Sequence, residues 1–181
     1  MAMKLKFSDI IKNVTPYGLV MGGIFVITSL LMYVVNIDIF SPVVSILNLL
    51  LIVIAVPIII VVVGTNNLRR KIAPDRVITF GQAWLSCFTI LFIGFAISGL
   101  YNYVFMHWIA PDYLKDNLDK MTDMLEKYNM SQEQIDQTIQ KVQDRTEGVT
   151  QYLWSAGIMI VLSLILAVSV RKKDKVSETI L

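Results

Sequence analysis

Residues 42–64 read PVVSILNLLLIVIAVPIIIVVVG, twenty-three positions without a charge. At about 1.5 Å of rise per residue, some twenty such positions cover the roughly 30 Å of a bilayer's hydrocarbon core. The stretch therefore reads as a membrane-crossing helix, a little longer than it must be and free to tilt. Pro57 inside it has no amide to offer the carbonyl of Val53, so the helix is expected to bend there.

Three more runs have the same character, at 16–35, 83–106 and 152–170, the last near the minimum length. Only Asn36 to Ser41 separate the first two, which makes those helices antiparallel neighbours. The chain is 55% hydrophobic and 17% charged with mean hydropathy +0.64, more apolar than a soluble surface tolerates. The first run lacks small residues at cleavage spacing and is expected to stay as a span. The reading is an all-α protein: one membrane domain over residues 1–181, with four transmembrane helices and an extracytoplasmic αα-hairpin inserted at 107–150.

Orientation follows from the basic residues. Lys4, Lys6 and Lys12 precede the first run, Arg69, Arg70, Lys71 and Arg76 follow the second, and Arg171, Lys172, Lys173 and Lys175 follow the fourth. These eleven share one side, against five in the insertion, so both termini are expected in the cytoplasm. Tyr33, Tyr101, Tyr103, Trp108, Tyr152 and Trp154 fall at the expected outer interface, with Tyr17 and Trp84 at the inner one.

The insertion carries nine acidic residues against five basic. Leu114, Leu118, Met121, Leu125 and Tyr128 recur at steps of four and three, one face of a helix. Pro111 suits a first-turn position, with Asp112 and Asp116 near the positive end of the dipole. Ser131 and Gln134 form a capping-box pattern, Met130 and Ile135 stand at staple positions, and Gly148 offers a stop. The insertion reads as two helices turning near Asn129, the second with a sparse stripe of Ile135, Ile139 and Val142. Neither helix is secure in water alone, so each stripe needs the other, the bilayer or a partner.

No Asp, Glu, Lys or Arg lies within any span, which leaves out the charged relay of an ion-coupled pump. The strongest polar residues inside are Asn48, Ser98 and Asn102, with Thr28 and Ser29, and interhelical hydrogen bonding is the ordinary use of such groups. Gly18 with Gly22, and Gly94 with Ser98, make small-residue faces for close helix approach, within one chain or between two. His107 is the single histidine and has no ligand partner at metal spacing, so no metal or cofactor is expected and His107 reads as an interfacial anchor. Cys87 is the single cysteine, in an apolar run, and reads as a small core residue. There is no nucleophile elbow, phosphate loop or HExxH motif, so no enzyme is expected. A net charge of +2 and basic clusters without stacking aromatics exclude nucleic acid.

At Ile78-Thr79-Phe80-Gly81-Gln82-Ala83, Tyr101-Asn102-Tyr103-Val104-Phe105, Ile109-Ala110-Pro111-Asp112-Tyr113 and Met130-Ser131-Gln132-Glu133-Gln134-Ile135, the chain resembles the family named domain of unknown function 4199. These are small bacterial membrane proteins found mostly in Bacteroidota. The resemblance implies a four-span inner-membrane protein without an assigned activity. Through members encoded near a polyprenyl-phosphate type of glycosyltransferase, it also implies an accessory role in envelope glycan or lipid-linked sugar metabolism. In the first motif Gly81 would allow a tight start to the helix and Gln82 would cap it, with Phe80 beside them; Pro111, Asp112 and Tyr113 would set the exit angle of the hairpin.

Two functions compete. One is a non-enzymatic scaffold or accessory subunit whose partner, another membrane protein or a second copy, docks through the hairpin at Leu118 and Leu125. The other is a small carrier or flippase for an uncharged or lipid-like substrate, using Asn48, Pro57 and Asn102.

Overall fold

The computed structural model describes residues 6–37, 42–72, 77–147 and 149–170, with side chains at all of these except 42, 72, 114, 144–147 and 149–155. Every regular element among them is a helix, so the all-α expectation is met. Helix α1 is Phe7–Val34, and α2 covers residues 42–72 as three stretches, Pro42–Asn48, Leu49–Ala55 and Val56–Ile72. Helix α3 is Phe80–Ile109; α4 is Tyr113–Lys127, α5 is Gln132–Glu147 and α6 is Val149–Val170. Among the described residues three helices are long and apolar enough to cross a membrane, at Phe7–Val34, Val43–Lys71 and Phe80–Ile109, and Ala156–Val170 is a shorter apolar stretch.

The helix ends follow local chemistry. Helix α1 starts well before Pro16, because Ile10 and Val14 are buried and draw the preceding turns into the bundle. It closes at Asn36, whose left-handed backbone (φ 51°) lets its amide reach the Tyr33 carbonyl and that of Ile37 reach the Met32 carbonyl, both at 3.0 Å. Helix α3 opens on a capping box: the Gln82 amide donates to Thr79 Oγ1 at 3.3 Å and the Thr79 amide to Gln82 Oε1 at 2.9 Å. Gly81 is exposed, has no positive φ, and would place a methyl group with nothing within 4 Å, so the expected tight start is not what it provides.

Pro57 acts differently from the expected simple bend. The seven residues Leu49–Ala55 are wound as a π-helix, and the Val56 amide donates to the Leu51 carbonyl, five residues back. A proline ring collides with the carbonyl four residues before it, and an extra residue per turn moves that carbonyl aside. Helix α3 is also π-wound at its end, over Phe105–Ile109, and stops at Ala110 before Pro111.

Helix α3 is central, packed along α1 and α6 and against the 56–72 stretch of α2. The two glycine faces meet inside the chain. A Cβ on Gly18 would fall 2.7 Å from Ile93 Cβ, one on Gly22 2.7 Å from Ile97 Cβ, and one on Gly94 would strike Met21. Between helices in lipid the hydrophobic effect gives little drive, so this close approach supplies the cohesion through van der Waals contact. Met21, Val61, Cys87, Ile90, Leu91 and Ala167 share the core.

At the end of the bundle that carries Lys6, Lys12, Arg69, Arg70 and Lys71, polar groups join the helices. Asn67 Nδ2 donates to the Tyr17 hydroxyl, and Trp84 Nε1 to Ser163 Oγ at 3.0 Å. Tyr17 and Trp84 thus use their polar tips to join helices. Arg69, only 8% exposed, donates from Nη1 to Asn66 Oδ1 at 2.9 Å and to the carbonyl of Val170, the last residue of α6, at 3.1 Å. A cation there meets the negative end of the α6 dipole. Helix α6 therefore runs antiparallel to α3 and ends beside the end of α2.

Helices α4 and α5 contact each other across the turn at Asn129 (φ 57°), where the Met130 amide reaches the Leu125 carbonyl at 3.3 Å. The Gln134 amide donates to Ser131 Oγ at 3.4 Å and the Ser131 amide to Gln134 Oε1 at 3.2 Å. Leu118, Leu125 and Ile135 are buried, but Tyr128 is 63% exposed and leaves the expected stripe, because it caps α4 rather than continuing it. Pro111 likewise sits outside α4 rather than in its first turn, and the Asp112 side chain caps nothing. Lys4, Arg76, Gly148 and residues 171–175 lie outside the described residues, as do the side chains of Leu114, Arg145, Tyr152 and Trp154.

Candidate functional site

The first part of α2 is not gathered into the bundle. Its packing on α1 and α3 comes from 56–72, and no residue of Leu49–Ala55 is buried. The widened turn before Pro57 marks where the helix leaves its neighbours. A crevice of about 420 Å³ remains between Ser29 and Met32 of α1, Ser45 and Asn48 of α2, and Asn102 and Phe105 of α3, with Tyr113 of α4 at its end. A narrower continuation of about 170 Å³ shares Ser29, Met32, Asn48 and Val53 and runs on past Thr28 and Ser98 as far as the Phe25 and Phe95 rings.

The lining decides the chemistry. Thr28, Ser29, Ser45, Asn48, Ser98 and Asn102 bring hydroxyls and amides from three helices to one space, and no lining residue carries a formal charge. Amides both donate and accept, so the surface can match a neutral polar group of either kind. Asn102 lies one turn of α3 in from Met106, where its uncharged run ends, and Ser98 one turn further.

Of the residues singled out in the sequence, Asn48, Asn102 and Tyr113 meet at this crevice, and Pro57 is buried at the foot of the π-wound stretch beneath it. Phe80, Gly81 and Gln82 stand at the far end of α3 and serve the helix start. Pro111 and Asp112 are exposed in the turn before α4, and Leu118 and Leu125 are enclosed by the α4–α5 pair. His107 Nδ1 meets the Tyr103 carbonyl at 2.9 Å, and its ring stacks on Tyr103 at 4.3 Å. Among the described residues no group of three His, Cys, Asp or Glu side chains could hold a metal.

Sequence reading missed Ser45, and named Tyr33 only as an interface aromatic and Phe105 only within a motif. Phe105 is edge-on to Tyr33 at 5.0 Å and to Tyr113 at 5.5 Å, and Lys120 Nζ donates to Asn36 Oδ1 at 3.0 Å. These contacts fix the start of α4 over the end of α1, beside the mouth of the crevice. The Tyr101 hydroxyl nearby is enclosed without a hydrogen-bond partner. The signal for Ser45 was a lone hydroxyl one turn before Asn48 on the same helix.

The model of the family described as "Protein of unknown function (DUF4199)" matches residues 16–172. No curated protein and no solved structure matches the chain.

Proposed function

The chain belongs to the DUF4199 family, and on that premise we propose that it is a non-enzymatic, multi-pass membrane protein that carries an uncharged or lipid-like molecule through the crevice between α1, α2 and α3. The topology proposed with it has α6 as a fourth crossing and α4–α5 as an extracytoplasmic hairpin. Two observations support that topology: α6 is antiparallel to α3, and its last carbonyl is held by Arg69 at the basic end. The positive-inside rule assigns that end, with both termini, to the cytoplasm of a bacterial inner membrane.

The observation that carries the carrier reading is the convergence of Asn48 and Asn102, fifty-four positions apart in sequence, on one cavity whose lining carries no charge. Binding sites of membrane carriers are commonly built at interrupted helices, and the π-wound stretch before Pro57 is such an interruption. The test is transbilayer movement of a fluorescent, uncharged lipid analogue in vesicles containing the protein. Wild type is expected to accelerate it, and Asn48→Leu and Asn102→Leu to slow it several-fold. Equal rates for vesicles with and without protein would remove the reading.

The accessory-subunit reading stands second. Its docking residues, Leu118 and Leu125, are already buried, and the Gly18, Gly22 and Gly94 faces are used within the chain. A partner, whether another membrane protein or a second copy, would have to meet other surfaces, such as the exposed Trp108 and Tyr128.

A further inference from the structure

We infer that the crevice takes the headgroup of an uncharged glycerolipid of the diacylglycerol kind, drawn in sideways from the bilayer between α1 and residues 42–55, and that it rejects phospholipids. The inference rests on the carrier reading and names its substrate class. Residues 42–55 have no extensive packing on α1 or α3, and Val43, Ile46, Leu50 and Ile54 are exposed. A molecule already in the membrane can therefore reach the crevice without passing through water.

Charge selects the headgroup. A headgroup bound between Asn102 and Ser98 is flanked by three helices without a charged side chain in the lining, and one bearing a phosphate would bring an anion into that space. Such a charge is tolerated there only beside a cation, and no lysine or arginine lines either part of the crevice. The lysine described near the mouth, Lys120, is engaged by Asn36. A glycerol hydroxyl and two ester carbonyls need donors and acceptors without charge, which is what the amides of Asn48 and Asn102 and the hydroxyl of Ser29 offer. The narrower continuation adds Ile52, Val53 and the rings of Phe25 and Phe95 to its polar lining, an apolar wall against which the start of an acyl chain can lie.

The full chain in phosphatidylcholine nanodiscs would be given dioleoylglycerol or dioleoylphosphatidylglycerol, released gently and weighed by native mass measurement. Wild type is expected to retain one dioleoylglycerol and no excess of the anionic lipid. Asn48→Leu with Asn102→Leu should lower retention at least tenfold, and Asn48→Gln with Asn102→Gln should restore part of it; unchanged melting temperatures separate this from misfolding. Preference for dioleoylphosphatidylglycerol would overturn the substrate class while leaving a lipid carrier. Equal retention of dioleoylglycerol by wild type and the leucine variant would overturn the site. Retention of neither lipid would overturn both this inference and the carrier reading.

Discussion

A methyl group on Gly22 would fall 2.7 Å from Ile97 Cβ, whereas two turns further along the same helix, beside Ser29 and Asn48, the chain leaves about 420 Å³ unfilled. Helix α1 thus has a closed seam against α3 and an open one against the first part of α2. Both seams lie in apolar surroundings, so hydrophobicity does not distinguish them. What differs is shape and polarity: glycines facing β-branched side chains close one, and a widened turn with opposed amides and hydroxyls keeps the other apart. In a membrane, where lipid competes equally for apolar surface, that difference decides which helices touch.

The comparison breaks most visibly at the closed seam. Gly22→Ala should cost about 1–3 kcal/mol, the usual penalty for forcing a methyl into packed space, because the atom it meets is a Cβ that cannot swing away. Gly23→Ala, one position along and with nothing within 4 Å, should be neutral or stabilising by up to about 1 kcal/mol. Thermal unfolding in detergent compares them directly. Arg69→Ala comes next: it removes a buried cation together with its hydrogen bonds to Asn66 and to the Val170 carbonyl, an expected loss of about 1.5–3 kcal/mol on the same assay. Asn48→Leu, at the open seam, should change stability by no more than about 0.6 kcal/mol, since no packed neighbour depends on it. Lys120→Ala should be smallest, within about 0.5 kcal/mol, because its bond to Asn36 is exposed to solvent.

The closed seam was half legible in the sequence. Gly18, Gly22 and Gly94 announced close approach, but spacing along one helix carries no information about which helix faces it, so the choice between one chain and two needed the fold. The open seam was legible only as parts. Asn48 and Asn102 stood out as amides among aliphatics, yet their meeting depends on how far α2 leans from α1, and that is set by the π-wound turn. Pro57 signalled an interruption there without saying whether the backbone would bend or widen. Arg69 was counted as one loop charge among several. The helix in fact continues through Ile72, which turns this side chain inward to cap α6. The turn at Asn129, the capping box of α5 and a capping role for Gln82 were legible, though not its Thr79 partner, because such signals are local, fixed by two or three neighbouring residues. Pro111 and Tyr128 were misplaced by a turn or less at helix ends, where periodicity stops carrying information.

Cysteine accessibility tests the two-seam account most directly, because Cys87 already marks the closed core. Single cysteines would be placed at Asn48, in the crevice, and at Leu50, on the exposed apolar face of α2, and the protein in phosphatidylcholine nanodiscs treated with the small uncharged reagent N-ethylmaleimide. The thiolate is the reacting form and needs water or polar neighbours, so a thiol facing lipid or core stays inert. The account predicts that Asn48→Cys gains one label within minutes while Leu50→Cys and native Cys87 gain none. An Asn48→Cys thiol as unreactive as the one at Leu50 would mean that this seam is closed or filled by lipid chains, and the crevice as a polar site would be contradicted.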